Sequence, residues 1–297
     1  MRLWVHRATM TVGTFLQEEV AVLNEERISQ GPDVWMFTAP NPGPKTLDGT
    51  HTFVVGRSIA YVIDPGPAHP VYQDQLAEWL RTAGARVVAI LLSHGHPDHT
   101  PGAARLAASL AVPVWSSEKL ATEENIALPV DRAYGSNQRF PTDDDALQVV
   151  PSPGHSEDHV AFWLEGARIL FAGDAILGRG TTLIAPPQGN MIHYVETLRR
   201  LQNLDALLIA PGHGPLITNP AGKIAEYLRH REQREAQVIE ALREGPATVQ
   251  ELVERLYHDV DNRLHGLAAG SVQAQLEKLE IEGYIQRIGE RFTAVDQ

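Results

Sequence analysis

Three histidines and one aspartate stand within six positions of one another, directly after an apolar run. The run RVVAILLSH has the length and composition of a buried strand, and His94, His96, Asp98 and His99 lie at its end and in the loop that follows. Charged histidines this close would repel one another, whereas neutral imidazole is the commonest protein ligand of transition metals and a carboxylate adds a negative ligand. The motif therefore predicts a metal site in the loop that leaves a buried strand.

Three more potential ligands follow apolar segments elsewhere in the chain. His155 follows the run LQVVPSPG, Asp174 follows RILFAG and His213 follows ALLIAPG. One such histidine alone would ordinarily be a surface residue or a hydrogen-bonded structural residue. Because each of the three side chains follows a predicted strand and has a glycine beside it, we expect them all to project from the same edge of a sheet.

The composition limits which kinds of atom can bind a metal and which classes of partner the chain can bind. The chain of 297 residues has no cysteine, so nitrogen and oxygen must supply every ligand, which suits zinc, iron or manganese. Its net charge of −12 opposes a broad charge-driven grip on nucleic acid, although it leaves room for a local basic groove. The first residues lack the apolar run of a signal peptide, and no segment approaches the roughly 20 apolar residues that span a membrane. We therefore expect a cytoplasmic protein with no membrane partner.

Strands and helices alternate over most of the chain, with an excess of strands. This order predicts a layered α/β architecture. Two β-rich runs separated by GRS predict a hairpin, and a polar stretch in the middle of the chain is expected to run over the surface. The predicted elements are a hairpin at 51–67, helices at 71–84, 101–110 and 192–204, strands at 86–94, 112–117, 147–155, 160–166, 168–174 and 206–214, and the surface segment at 124–145.

The last part of the chain has a different pattern, and we divide the sequence into a domain at 1–222 and a smaller one at 223–297. Helices are predicted at 223–245, 248–257 and 271–283 and a β-hairpin at 284–295, which is the order of a winged helix. The smaller domain has ten Lys and Arg against fourteen Asp and Glu, a net charge of −4, so we expect no duplex DNA binding. We expect a packing or homodimerisation role instead, with Leu276, Leu279 and Ile281 packed inside the domain.

The motif resembles the H-x-H-x-D-H signature of the metallo-β-lactamase-fold superfamily, and the similarity covers residues 35–215. This resemblance implies an αββα sandwich, followed here by the small C-terminal winged-helix domain. It also implies two divalent metal ions, zinc by preference and manganese or iron as alternatives. One ion would be held by His94, His96 and His155, the other by Asp98, His99 and His213, with Asp174 bridging both.

Within the superfamily the chain resembles the lactamase-β-like protein 2 group, whose characterised members are single-strand endoribonucleases. The segments NPGPKTLDGTHTFVVG, VIDPG, GRGTT and HREQREAQVIEAL carry this resemblance. One position departs from the group, because His51 stands where the group has an asparagine. The substrate preference of the group therefore does not transfer directly to this chain.

Further residues are candidates for supporting the metal ligands or touching a substrate. Asp64, in VIDPG, resembles the aspartate that hydrogen-bonds a metal-bound histidine in the family, although an aspartate before Pro-Gly is also an ordinary turn residue. His159 could face the cleft or be a structural histidine at the start of a strand. His193 and Tyr194 open a predicted helix and could touch substrate, or could be an ordinary surface histidine and core tyrosine.

The implied chemistry is hydrolysis by a metal-bridging hydroxide, with Asp98 both binding a metal and handling the proton of the nucleophile. The first substrate hypothesis is a phosphodiester, with single-stranded RNA as the named candidate. The alternative is a carboxylic thioester, lactone or ester. A third hypothesis, a non-enzymatic winged-helix regulator that senses a small ligand, is disfavoured because a sensor has no need of a complete hydrolytic centre.

Overall fold

Two β-sheets pack face to face and form the centre of the larger domain. One sheet has seven strands in chain order, β1 to β7, and the other has five in the order β12-β11-β10-β9-β8. Buried side chains of both sheets fill the space between them, as where the rings of Phe53 and Phe171 lie 5.1 Å apart. The strands are Asn24–Arg27, Val34–Thr38, His51–Val55, Ala60–Ile63, Val87–Leu91, Val114–Ser117, Arg132–Tyr134, Arg139–Pro141, Ala146–Pro151, Val160–Leu164, Ile169–Gly173 and Leu208–Pro211 for β1 to β12.

Helices cover the outer face of each sheet, which completes the predicted αββα sandwich. Tyr72, Leu76 and Leu106 bury the apolar faces of α1 and α2 against the seven-stranded sheet. Tyr194 and Tyr227 do the same for α4 and α5 against the five-stranded sheet. The helices are Pro70–Thr82, Gly102–Leu110, Glu118–Ala121, Met191–Gln202 and Pro220–Arg243 for α1 to α5.

The computed structural model describes residues 23–123, 128, 130–258, 261 and 265–295. The segment 1–22, where we predict no signal peptide, lies outside the described residues, as do 124–127 and 129 of the predicted surface segment. The rest of that segment is not a simple surface excursion, because it contributes β7 and β8, whose Tyr134 and Phe140 are buried between the sheets. Strands of three residues carry too little alternation to be recognised in a sequence.

The C-terminal domain has the predicted winged-helix order. Its helices α6 and α7 are Val249–Leu256 and His265–Ile281, and its hairpin strands β13 and β14 are Ile285–Ile288 and Arg291–Ala294. The long helix α5 belongs to both domains: Tyr227 packs against the five-stranded sheet, whereas Val238 packs against α6 and α7. The predicted domain boundary at 222/223 thus falls in the first turn of a continuous helix, and it stays a prediction.

The prediction for the packing of α7 is correct at two positions and wrong at the third. Leu276 and Leu279 are buried in the core of the C-terminal domain, whereas Ile281 is 73% exposed. At 100° per residue, position 281 lies 200° around the helix from position 279 and therefore points away from the core. Among the described helices, none is long and apolar enough to cross a membrane.

Candidate metal centre

The seven predicted metal ligands lie at one edge of the two sheets, where loops leave the ends of the strands. The H-x-H-x-D-H motif follows β5, His155 lies between β9 and β10, Asp174 follows β11 and His213 follows β12. The side chains form two groups, and within each group the potential ligand atoms all lie within 4.8 Å of one another. The first group is His94, His96, His155 and Asp174, and the second is Asp98, His99, Asp174 and His213.

The first group is arranged around the ring nitrogen Nδ1 of His96. This atom lies 3.1 Å from Nε2 of His94 and 2.9 Å from Nε2 of His155. The Oδ2 atom of Asp174 lies 3.6 Å from the same nitrogen of His155. Three imidazole nitrogens and one carboxylate oxygen therefore face a common point.

The second group is tighter and more deeply buried. Nε2 of His99 and Nε2 of His213 are 3.2 Å apart, and they lie 3.4 and 3.3 Å from Oδ1 of Asp174. Oδ2 of Asp98 lies 3.1 Å from the His213 nitrogen. Asp174 thus directs one oxygen to each group, which is the bridging arrangement that the family resemblance implies.

Each of the five imidazoles has its outer nitrogen beside a hydrogen-bond acceptor, so the inner nitrogen carries a free lone pair. We assign the ring protons from these contacts. A ligand histidine in a metalloprotein has its tautomer fixed in this manner. The outer contacts are His94 Nδ1 to Ser93 Oγ at 2.9 Å, His96 Nε2 to Gln188 Oε1 at 3.2 Å, His99 Nδ1 to Asp64 Oδ2 at 3.0 Å, His155 Nδ1 to the Leu183 carbonyl at 2.9 Å and His213 Nδ1 to the Gly49 carbonyl at 3.1 Å.

These residues fit a pair of divalent cations. Lone pairs of neighbouring imidazoles face each other without a proton between them, and the buried Oδ1 of Asp174 has no hydrogen-bond partner. Such an arrangement is unfavourable for a buried polar cluster unless a cation satisfies it. The donor set of nitrogen and carboxylate oxygen suits zinc, manganese or iron.

Charge in the centre favours binding of a cation. Although burial raises the pKa of Asp174, the charges of His99 and His213 hold it well below its ordinary value, so this carboxyl group is ionised. Burial lowers the pKa of His213, but the nearby carboxylates of Asp174 and Asp98 together outweigh it and raise the pKa to about 9. The carboxylate charge that raises this pKa equally favours a metal cation at the inner nitrogen of His213.

Asp64 lies behind the centre and supports the motif, as the family resemblance implies. Its Oδ1 accepts a hydrogen bond from the Ser93 amide at 2.7 Å, and its Oδ2 accepts from the Ser93 hydroxyl at 2.5 Å and from His99. Ser93 also accepts from His94, so one buried carboxylate orients two imidazoles. The sequence reasoning missed Ser93, although its position directly before the motif could have indicated it. Gln188 was missed as well, and its loop carries no local signal.

Two further candidate histidines are buried and hydrogen-bonded within the fold. His159 is buried, donates from Nδ1 to the Ser152 hydroxyl at 2.7 Å and accepts at Nε2 from the Asp174 amide at 3.1 Å. It holds the backbone of a predicted ligand and does not face a cleft. His51 is 4% exposed and bonds through Nδ1 to the Pro211 carbonyl at 3.0 Å, and its burial lowers its pKa to about 4.

The two candidates at the start of α4 have different surroundings. His193 is half-exposed and its Nδ1 lies 2.6 Å from Glu157, two residues after His155, so contact with a substrate stays a prediction for it. Tyr194 is fully buried, and its hydroxyl donates to the Ala175 carbonyl at 2.8 Å. Of the two readings of Tyr194, its burial favours the core tyrosine over substrate contact, because the helix turns this side chain into the core.

Gly212, beside the centre, cannot be replaced by a residue with a side chain. A Cβ atom on Gly212 would lie 2.5 Å from Oδ1 of Asp174 and 2.9 Å from Cε1 of His99. Both distances are far below van der Waals contact. The glycine before His213 therefore allows the β12 loop to approach the other ligands closely.

Comparison with known proteins gives two family matches. Residues 46–213 match the model of the metallo-beta-lactamase superfamily, and residues 248–293 match that of the beta-lactamase associated winged helix domain. Together they span all of the predicted ligands and most of the C-terminal domain.

Curated relatives match most of the chain. A beta-lactamase-like protein 2 homolog of Caenorhabditis elegans is 30% identical over 255 residues, which is 83% of each chain. An atrochrysone carboxyl ACP thioesterase of Aspergillus novofumigatus is 32% identical over 279 residues, 88% of this chain and 82% of that protein.

Solved structures share the fold. A beta-lactamase domain protein from Burkholderia ambifaria superposes with a TM-score of 0.80 at 20% identity, covering 92% of this chain and 94% of that one. A metallo-beta-lactamase family protein from Thermus thermophilus gives a TM-score of 0.72 at 21% identity, covering 88% of this chain and 98% of that one.

Proposed function

The chain belongs to the metallo-beta-lactamase superfamily of hydrolases, and we propose that it is a hydrolase with two metal ions, zinc by preference. One observation carries the proposal. Two groups of nitrogen and oxygen ligands meet at the edge of the sheets, and Asp174 belongs to both groups. No single ion could use all seven side chains, whereas two neighbouring ions could share the Asp174 carboxylate.

When bound, two divalent cations supply a water nucleophile that is acidic near neutral pH and positive charge for an oxygen that becomes negative. The ligand set holds two carboxylates, Asp98 and Asp174, against the four charges of two such cations, so the centre is net positive. This favours substrates in which negative charge develops on an oxygen.

Asp98 is the residue that we assign to proton handling. Its side chain is 27% exposed, more than those of Asp174 and the histidines of its group, so it borders the solvent from which a substrate enters. Burial raises its pKa, but the nearby His213 and His99 side chains together outweigh this and leave the pKa lowered, so the group is ionised. An ionised carboxylate at this position can accept the proton that the nucleophile loses.

An acyl thioester is the substrate class that we place first. A relative that covers most of the chain is named as an ACP thioesterase. In addition, two basic side chains beside the ligand loops are already ion-paired, Lys119 with Glu157 and Arg179 with Asp48. They offer little to a polyanion, and the net charge of −12 repels one.

A phosphodiester, with single-stranded RNA as the named candidate, is the second class. The net positive centre and the relatives named beta-lactamase-like protein 2 homolog favour it. The phosphodiester was the first hypothesis from the sequence. The relative named as a thioesterase and the ion pairs beside the ligand loops favour the thioester over it.

A parallel assay of the full-length protein reconstituted with zinc separates these proposals. The substrates are an acyl pantetheine thioester, a labelled single-stranded RNA, a bis-aryl phosphodiester and a lactone. We expect the fastest turnover with the thioester. Asp98→Asn is the control that we expect to be inactive. Asp74→Asn is the control that we expect to stay active, because its carboxylate is exposed and paired with Arg105 on the surface.

Faster cleavage of the RNA than of the thioester would reverse the order of the two substrate classes. A protein that binds two ions yet turns over none of these substrates would contradict the hydrolase proposal and favour the sensing regulator.

A further inference from the structure

A buried arginine links the helix that enters the C-terminal domain to the loop beside the metal centre. Arg231 of α5 is 3% exposed, and its Nη2 donates a hydrogen bond to the Thr182 carbonyl at 2.5 Å. Its guanidinium carbon lies 5.1 Å from the ring centroid of Tyr194. Within the described part of the chain, no carboxylate forms an ion pair with this side chain. The interactions of the guanidinium are therefore the hydrogen bond to the loop carbonyl and the contact with the aromatic ring.

The loop that Arg231 holds contacts two predicted metal ligands. The Thr182 hydroxyl donates to the Asp174 carbonyl at 2.9 Å. The next residue, Leu183, offers the carbonyl that accepts from Nδ1 of His155 at 2.9 Å and so fixes the tautomer of this imidazole. Residues 182 and 183 thus bond to Arg231 through one backbone carbonyl, to His155 through the next, and to Asp174 through the Thr182 hydroxyl.

Tyr194, beneath the guanidinium, restrains the same two ligands by a separate route. Its hydroxyl donates to the carbonyl of Ala175, which directly follows Asp174. Its backbone lies so close to Gly154 that a Cβ atom there would clash with it, and Gly154 directly precedes His155. Arg231 therefore packs on the two elements, the 182–183 loop and the start of α4, that hold this side of the centre.

We propose that Arg231 is a positioning residue for metal binding, through which helix α5 orients His155 and Asp174. The inference rests on the proposed two-metal centre and extends it to a residue of the C-terminal domain. Without the guanidinium, the Thr182 carbonyl loses its buried donor and the loop is free to shift. His155 then loses the fixed acceptor for its outer nitrogen. Loss of outer hydrogen-bond partners weakens metal binding by roughly 10–100-fold, and we expect about tenfold here because Arg231 acts one residue further away.

The test measures zinc affinity of the full-length protein by competition with a chromophoric chelator. Arg231→Met removes the hydrogen bond and keeps much of the apolar volume, and Arg231→Lys keeps a donor that can reach the loop. Arg234→Met is the matched control. Arg234 lies three residues further along α5, stacks on Tyr257 at 4.4 Å and bonds only within the C-terminal domain as far as the described contacts go.

We expect Arg231→Met to bind at least one of the two ions about tenfold more weakly, Arg231→Lys to recover part of the loss, and Arg234→Met to match the wild type. An unchanged affinity in a folded Arg231→Met protein overturns the proposal, as does an equal loss in Arg234→Met. If Arg231→Met does not fold, Thr182→Val decides, because it removes the hydroxyl bond to Asp174 from the same loop, and unchanged affinity there also overturns the proposal. A wild-type protein that binds fewer than two ions refutes the two-metal centre itself, which distinguishes the two failures.

Discussion

Replacing Asp64 by asparagine should weaken both the fold and metal binding, because the carboxylate accepts three hydrogen bonds at a buried position. The donors are the Ser93 amide, the Ser93 hydroxyl and Nδ1 of His99, at 2.7, 2.5 and 3.0 Å. An asparagine has one acceptor oxygen and one donor nitrogen. Whichever way the amide is turned, its NH₂ group faces at least one of these donors.

The magnitude follows from the number of lost bonds. A hydrogen bond to a charged acceptor contributes about 1.5–3 kcal/mol, so one lost bond lowers the free energy of unfolding by about that amount, and two lost bonds by more. If the NH₂ group of the asparagine side chain faces His99, this imidazole also loses the acceptor that fixes its tautomer. Metal affinity then falls by roughly 10–100-fold.

Urea unfolding of the metal-free protein and zinc competition with a chelator measure the two effects separately. Asp74→Asn is the control, since Asp74 is 54% exposed and its pair with Arg105 lies on the surface, where solvent screens the interaction. An Asp64→Asn protein with wild-type stability and, within about twofold, wild-type zinc affinity would refute the argument that the Asp64 carboxylate accepts these three hydrogen bonds.

Four further outcomes are expected. Elemental analysis after reconstitution with excess zinc or manganese should give two ions per chain, and at most one equivalent would count against the centre. Asp98→Ala should leave the fold intact and reduce turnover more than tenfold, a loss above ~1.4 kcal/mol of transition-state stabilisation in steady-state kinetics. Leu279→Ala should cost about 2–5 kcal/mol in urea unfolding because Leu279 is buried, whereas Ile281→Ala should change the free energy of unfolding by less than about 0.5 kcal/mol because Ile281 is 73% exposed. The protein should not bind duplex DNA at micromolar affinity in physiological salt, because the C-terminal domain is net acidic. Fluorescence anisotropy with a labelled duplex measures this, and micromolar or tighter binding would contradict the prediction.

The strongest sequence signals were those in which a local pattern already contains the chemistry. His94, His96, Asp98 and His99 are neighbours in the chain, and the apolar run before them predicted β5. Glycines beside His155, Asp174 and His213 marked the ends of other strands in the same manner. Periodicity also predicted the core-facing residues Leu276 and Leu279, because burial on one face of a helix repeats every three to four residues.

Tertiary structure decided the features that depend on partners far along the chain. His213 bonds to the Gly49 carbonyl, 164 residues away, and Arg231 to the Thr182 carbonyl, 49 residues away, and no spacing rule connects such pairs. The burial of Tyr194 depended on how α4 is rotated against the five-stranded sheet, since the sequence allows its aromatic side chain either core or surface placement.

The sequence alone therefore determined which groups can bind metal and the order of the elements that carry them. The folded chain determined which nitrogen of each imidazole faces inward, because the outer partner comes from a separate loop in four of the five cases, His94 being the exception. It also determined that Arg231 of α5 bonds to the loop beside the centre. Hydrogen bonds act over about 3 Å in space and have no fixed reach along the chain, so only the packed structure could show them.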